Sequence, residues 1–308
     1  MGKVRVVTDS SAHFLDPGVI DRYGITVVPL QIHFGNQHFL EGVDLDAEDF
    51  FHRVSHGGPL PKVVTASVAD FAMAYERLHR ETDQIISIHR SRQLGPTWQN
   101  ASAASRNFLG RCDIIVIDSL TTSAGLAIIV EAAARAAAEG ASLDAVVRTV
   151  RGVIPRIYSV FYVETLDYIQ HNKLLGDAQS ILGTMLGIRP FITIEDGVLV
   201  PMEKARTRTQ AIDRLVEYVT EFASLEQMMI LQNTPYPTEQ TRMFQDRLAL
   251  EFPGREFPVM MYGPSLATYI GPDAMGVVVF EGEEVLDLGR SDDEGDEDFG
   301  DLGDFEDV

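Results

Sequence analysis

Gln84-Ile85-Ile86-Ser87-Ile88 runs into the polar turn His89-Arg90-Ser91-Arg92, and Ile114-Ile115-Val116-Ile117 runs into Asp118-Ser119. Both are short apolar runs rich in β-branched residues, the pattern of strands buried within a sheet. Val4 to Val7 repeats the form ahead of Thr8-Asp9-Ser10-Ser11. Helical stretches alternate with these runs. Ser67 can cap a helix whose apolar positions Phe71, Tyr75 and Leu78 recur at helical spacing, with Asp70 placed as the acid of a capping box. Another helix passes through Trp98 to Leu109. A third, Ala-rich, covers Leu126 to Glu139 and stops at Gly140, and Ser142 can cap the next. This alternation implies a mostly parallel sheet with helices on both faces. In open α/β sheets, ligands sit beyond the carboxyl ends of the strands. The three Ser-bearing turns, at Ser10, Ser91 and Ser119, are therefore the first place to look for a site.

Outward from this frame, Ile25 to Leu30 reads as a strand broken at Pro29, continued by Ile32-His33-Phe34 and turned at Gly35-Asn36. Asp46 can cap a helix running to Val54. A second region starts near Arg156 with a strand over Ser159 to Val163 and a helix start at Leu166 to Ile169. Gly187 to Ile194 leads through Asp196-Gly197 into Val198-Leu199-Val200, an Asp-Gly hairpin signal. Helices over Thr209 to Phe222 and Thr238 to Phe252 alternate with strands at Met228 to Leu231, Val259 to Met261 and Gly276 to Phe280. The expected organisation is an N-terminal α/β domain over residues 1–155, a C-terminal α/β domain with a mixed sheet over 156–285, and a tail over 286–308. No internal repeat is visible.

The chain has 308 residues, enough for two domains of ordinary size, and its 45% hydrophobic and 23% charged residues are those of a soluble globular protein. A single cysteine, Cys112, excludes a disulfide framework and a Cys-based zinc site. No run of about 18 apolar residues exists to span a membrane, and the N-terminus lacks the apolar stretch of a secretory signal, so the expected location is cytoplasmic. The net charge is −21, and the ten Asp and Glu of Ser291 to Val308, with no Lys or Arg among them, account for about half of it. That tail reads as disordered, either a solubilising appendage or a partner-binding segment. The acidic remainder argues against nucleic-acid binding and allows at most transient contact with an anionic membrane.

There is no G-x-S-x-G elbow, P-loop, G-x-G-x-x-G or H-E-x-x-H. His52 and His56 share a helix face, but no Glu follows His52, and His56 meets Gly57-Gly58, so a role at the helix C-terminus outweighs metal binding. Ser10, Ser91 and Ser119 are nucleophile candidates without a positioned base: His89 lies two residues from Ser91, and in an extended turn the two side chains point apart. Arg206 and Arg208, with Lys204, form a basic cluster that reads equally as an anion contact or as a solvated or inter-domain ion-pair surface.

Together these residues resemble, in order over roughly the first 280 positions, the DegV family of fatty-acid-binding proteins. The resemblance rests on Val6-Val7-Thr8-Asp9-Ser10-Ser11, Val28-Pro29-Leu30, Glu41-Gly42-Val43-Asp44, the turn His89 to Gln99, Val116-Ile117-Asp118-Ser119, Asp196-Gly197 through Pro201, Lys204-Ala205-Arg206 and Gly263-Pro264-Ser265-Leu266-Ala267. It implies a two-domain α/β protein that catalyses nothing alone, uses no cofactor or metal, and holds a long-chain fatty acid in a buried tunnel between its domains. It also implies that hydroxyls of two turns receive the carboxylate and that the acyl group is presented to a separate kinase that makes acyl phosphate.

Carried over residue by residue, the lipid-binding candidates are Thr65, Ser67, Ser91, Arg92 and Tyr269, and the partner-binding candidates are Lys173, Arg206 and Arg208. The sequence departs from the family pattern at several of them. Val63-Val64-Thr65-Ala66-Ser67 stands for a Thr-Ser-Gln-Pro turn, Arg92 for the second Ser of a Ser-Ser turn, Asn172-Lys173 for Gly-Arg, and Tyr269 for a late His. Ser67 reads equally as a plain helix cap, and Thr65 as a residue that only caps its turn. Two further readings stay open: a sensor of the same fold with a non-lipid ligand, and a Ser-dependent acyl transferase using Ser91 or Ser119.

Overall fold

The computed structural model describes residues 3–174 and 189–283. The expected tail, 286–308, and the first two residues of the strand expected from Gly187 lie outside them. Four short parallel strands form the first sheet: β1 (Arg5–Asp9), β2 (Thr26–Val28), β6 (Gln84–His89) and β7 (Asp113–Asp118), in the order β2-β1-β6-β7. Side chains alternate across it. Val7 and Ile85 face α3 (Val68–His79) and α4 (Thr97–Ser105), with Phe71, Tyr75 and Phe108. Val6, Ile86 and Ile88 face the other way, toward α1 (Gly18–Tyr23), α5 (Ser123–Ala138) and α6 (Leu143–Val153). Local chemistry starts the helices as read. Ser67 and Asp70 complete a reciprocal capping box on α3, and Asp46 accepts the Asp49 N–H at 2.8 Å to start α2 (Ala47–Ser55).

A six-stranded sheet follows: β8 (Ile157–Tyr162), β9 (Arg189–Glu195), β10 (Val198–Ala205), β11 (Leu225–Gln232), β12 (Val259–Met261) and β13 (Met275–Glu281), ordered β10-β9-β8-β13-β11-β12. Only β11 and β12 pair in parallel. One face is covered by α8 (Arg208–Thr220) and α9 (Glu239–Glu251). The other rests on α5, which is buried nearly all round because it serves both sheets: Val6 and Ile88 of the first and Phe161, Val278 and Phe280 of the second belong to one continuous core. A short helix, α7 (Asp167–His171), and α10 (Pro264–Ile270), every residue of which is buried, pack together beside that junction.

One expectation is corrected. Ile32 to Phe34 does not continue the strand before Pro29. Proline has no N–H to donate to a ladder, so the chain leaves the parallel sheet after Val28. It restarts at β3 (Gln31–Phe34) in a separate antiparallel sheet with β4 (Gln37–Leu40) and β5 (Lys62–Val64). This third sheet delivers Glu41 to the junction of the two larger ones.

Candidate functional site

The carboxyl ends of β1, β6 and β7 converge under two elements of the second sheet's half: α10 and the tip of the β9–β10 hairpin. The hairpin tip is the expected Asp-Gly turn, with φ of 49° at Asp196 and 82° at Gly197. Ser91 lies there two residues past β6, wholly buried. Its N–H donates to Thr121 O at 2.8 Å, its Oγ donates to Gly197 O at 2.8 Å, and the Gln93 N–H donates back to Oγ at 3.1 Å. A Cβ on Gly197 would lie 2.2 Å from Ser91 Oγ, so only glycine closes the hairpin over this turn.

Arg90 was not singled out from the sequence, yet it is the most unusual residue of the site. Its side chain is fully buried. Nε donates to Thr97 Oγ1 at 3.0 Å, and Nη1 donates to the Tyr269 hydroxyl, which in turn donates to Leu94 O at 3.1 Å. Nη2 lies against Gly95, where a Cβ would stand 2.8 Å from it and 3.4 Å from Thr65 Cγ2. Both guanidinium partners are neutral hydroxyls, and among the described residues no carboxylate forms an ion pair with it. A buried charge left without a counter-ion costs several kcal/mol. Burial raises the Tyr269 phenol above its ordinary pKa, against the opposing effect of Arg90, so Tyr269 stays a neutral donor and acceptor.

Beneath Arg90 lies a sealed polar chain. Tyr75 Oη donates to Ser87 Oγ at 2.8 Å, Ser87 Oγ meets His89 Nε2 at 2.7 Å, and His89 Nδ1 meets Asp9 Oδ2 at 3.0 Å. Asp9 Oδ2 also accepts the Arg90 N–H at 3.1 Å, while Oδ1 accepts the Ser11 N–H and hydroxyl. Burial opposes ionisation of Asp9, but the His89 hydrogen bond, the charge of Arg90 and the Ser11 hydroxyl prevail and hold its pKa below the ordinary carboxylate value. Ser, His and Asp stand here in the order of an acyl-transfer relay, but Ser87 is completely buried and already holds Tyr75 and His89. The chain's evident work is to fix the backbone from which Arg90 projects.

Glu41 joins the halves. Its Oε2 accepts from Ser10 Oγ at 2.8 Å and its Oε1 from the Ser265 N–H of α10 at 2.8 Å. Burial pushes its pKa up to about 7, against the pull of those two donors. Asn172 adds a second tie: Nδ2 donates to Tyr168 O and Thr268 O at 2.9 Å each and reaches Pro61 O at 3.3 Å. The buried hydroxyls of Thr8, Thr121, Thr122 and Ser123, at the ends of β1 and β7, have no hydrogen-bond partner among the described residues.

The structure thus gathers three of the lipid candidates: Ser91, Tyr269 and Thr65, the last half-buried with its Oγ1 3.4 Å from Asn100 Nδ2. It does not bring in the other two. Ser67 is an exposed helix cap, and Arg92 turns outward to Asp118 at 3.5 Å with its side chain 53% exposed. Lys173 and Arg206 are exposed, and Arg208 pairs with Glu164 at 3.1 Å. The signal for Arg90 was partial: it directly follows a buried strand, whereas Arg92, two residues further along the same turn, reaches solvent.

Residues 3–282 match the family described as "Uncharacterised protein, DegV family". The chain belongs to the DegV family. A DegV domain-containing protein of Caldanaerobacter subterraneus subsp. tengcongensis is 33% identical over 281 residues, which cover 90% of this chain and 98% of that one. Protein DegV of Bacillus subtilis is 27% identical over 279 residues, covering 89% and 98%. Among solved structures, a DegV family protein from Thermus thermophilus, described by its fatty acid binding, superimposes with a TM-score of 0.80 at 25% identity over 91% of this chain and 100% of that one. DegV from Bacillus subtilis, described as a fatty acid binding protein, gives the same TM-score, identity and coverage. This chain shares the two-domain α/β fold of these DegV proteins. Among the described residues no helix is long and apolar enough to cross a membrane, and no cluster of three or more metal-ligating side chains is present.

Proposed function

We propose that this DegV protein binds a long-chain fatty acid between its two α/β halves, with the carboxylate held against Arg90. The observation that carries this reading is the fully buried guanidinium whose hydrogen-bonding side-chain partners among the described residues are neutral hydroxyls. A carboxylate is the planar anion that matches its fork, and charge-assisted hydrogen bonds are strong where water is excluded. Tyr269, Ser91 and Thr65 supply hydroxyls nearby, those of Ser91 and Tyr269 once they release Gly197 O and Leu94 O, and the junction core behind them, with α5 at its centre, is apolar like an acyl chain. The fatty-acid-binding relatives support the same ligand class. The acyl group, head-first at the strand ends, is then presented to a partner kinase that phosphorylates it, with Lys173, Arg206 and Arg208 as the partner-facing cations.

Two measurements test this. Native mass spectrometry on protein purified without added lipid should show a bound mass in the fatty-acid range, and long-chain fatty acids should displace a fluorescent analogue. Absence of both effects would refute the reading and favour a non-lipid ligand. For presentation, Arg206→Glu should weaken assembly with an acyl-phosphorylating kinase and leave lipid content unchanged; the opposite pattern would move Arg206 to the lipid site.

A further inference from the structure

We propose that the acidic C-terminal segment, residues 291–308, docks on a basic groove on the outer face of the first α/β layer. The groove, of about 490 Å³, lies between α3 and the turn after α4. Arg77, Arg80 and Arg111 line it, and the exposed Arg106 precedes the lining residue Asn107 in the chain. Arg111 bonds the Asn107 carbonyl at 2.8 Å and lies over the Phe108 ring, and Arg77 reaches Thr26 Oγ1 at 3.5 Å. Among the described residues none of the four arginines forms an ion pair. Only one groove-lining residue, Glu76, is acidic, and the neighbouring Glu81 is held by Arg5 at 3.1 Å. Asp83 and Asp113 stand beyond, next to Cys112 at the strand starts. Three lining guanidiniums against one lining carboxylate is a local excess of positive charge in a chain with 25 Lys and Arg against 46 Asp and Glu.

The occupant follows from complementarity. Met73, which lines the groove, is apolar and 66% exposed, and Leu109, next in the chain to the lining Phe108, is 79% exposed. Residues 291–308 carry ten carboxylates, no cation, and Phe299, Leu302 and Phe305 spaced every third position among them. That is the same mixture of charge and apolar surface with the sign reversed. The segment falls beyond residue 282, where the family match ends. The 25 residues after Glu283 can span about 80 Å when extended, against a diameter of about 50 Å for a body of this size, so the groove is within reach. Tethering gives an effective concentration of about 1 mM, enough for weak, salt-sensitive ion pairs to register.

The test uses the full chain. Cleavage by a glutamate-specific protease at Glu294, Glu297 and Glu306 is followed by mass spectrometry at about 0.02 M and about 0.5 M salt, the latter shortening the Debye length to a few Å. Rates are normalised to a synthetic 284–308 peptide, which removes the salt response of the protease itself. Wild-type cleavage should be at least about fivefold slower at low salt than at high salt. Arg77→Glu/Arg80→Glu/Arg111→Glu should abolish that protection, and the corresponding triple Gln variant should reduce it. Equal normalised rates at both salts, or protection that survives charge reversal, overturns the proposal. So does salt-independent cleavage combined with wild-type binding to phosphatidylglycerol vesicles that the triple Glu variant lacks, which would assign the groove to a lipid surface.

Discussion

Replacing Arg90 with methionine separates the charge of the site from its shape. In the wild type the guanidinium makes two donations to neutral hydroxyls and forms no direct ion pair among the described residues, the ionised Asp9 being only a nearby charge, so the unliganded protein bears part of the cost of a desolvated cation. Arg90→Met removes that cost along with the hydrogen bonds. Tyr269 keeps its donation to Leu94 O at 3.1 Å, and Thr97 loses one partner. These effects oppose each other, and unliganded stability should change by less than about 1 kcal/mol, or rise. The liganded state has no such compensation. Losing a charge-assisted hydrogen bond to the carboxylate costs about 1.5–3 kcal/mol, which is roughly a ten- to hundredfold weaker fatty acid affinity. The assay is displacement of a fluorescent fatty acid by an acid and by the alcohol of equal chain length. The wild type should prefer the acid by at least about tenfold, and Arg90→Met should bring the two together. Unchanged acid affinity, or an unchanged ratio, in a folded Arg90→Met protein refutes the ionic anchor while leaving lipid binding through the hydroxyls standing.

Three other outcomes follow from the geometry. Glu41 has a folded-state pKa raised from its ordinary value to about 7; the native state therefore binds the extra proton, and stability should fall as pH rises from about 4.5 to 7, by up to about 3 kcal/mol. Glu41→Gln should flatten that part of the melting-temperature profile, and a profile identical to the wild type would show that Glu41 is not its source. Gly197→Ala places a Cβ 2.2 Å from Ser91 Oγ at a φ of 82°, so it should cost about 1–3 kcal/mol in denaturant unfolding and reduce lipid content. Ser67→Ala should cost about 1 kcal/mol through the lost cap and leave fatty acid affinity unchanged, whereas a drop in affinity would return Ser67 to the site.

Local chemistry was legible in the chain itself. Unbroken β-branched runs marked β1 and β6, whose faces are covered, and β7, which is half-buried at the sheet edge. Ser67 with Asp70 and Asp46 marked helix starts because a cap acts over three residues. Asp196-Gly197 marked a hairpin because its two positive φ angles favour those residue types. The Ser-bearing strand ends pointed to the end of the sheet where Ser91 meets the hairpin tip, and the ordered resemblance pointed to the family.

What only the tertiary structure decided is what long-range packing brings together. Arg90 meets Tyr269 across 179 positions of sequence, Ser91 meets Gly197 across 106, and Glu41 meets Ser265 across 224. No periodicity encodes such separations. Ser67 and Arg92 sit in the expected turns, but side-chain direction placed them outside the site, because a cap must face its own helix and a cation beside Asp118 gains more at the surface. Pro29 divided one expected strand between two sheets. Arg90 became the buried residue because β6 ends beneath α10, where Thr97 and Tyr269 hydroxyls meet its guanidinium.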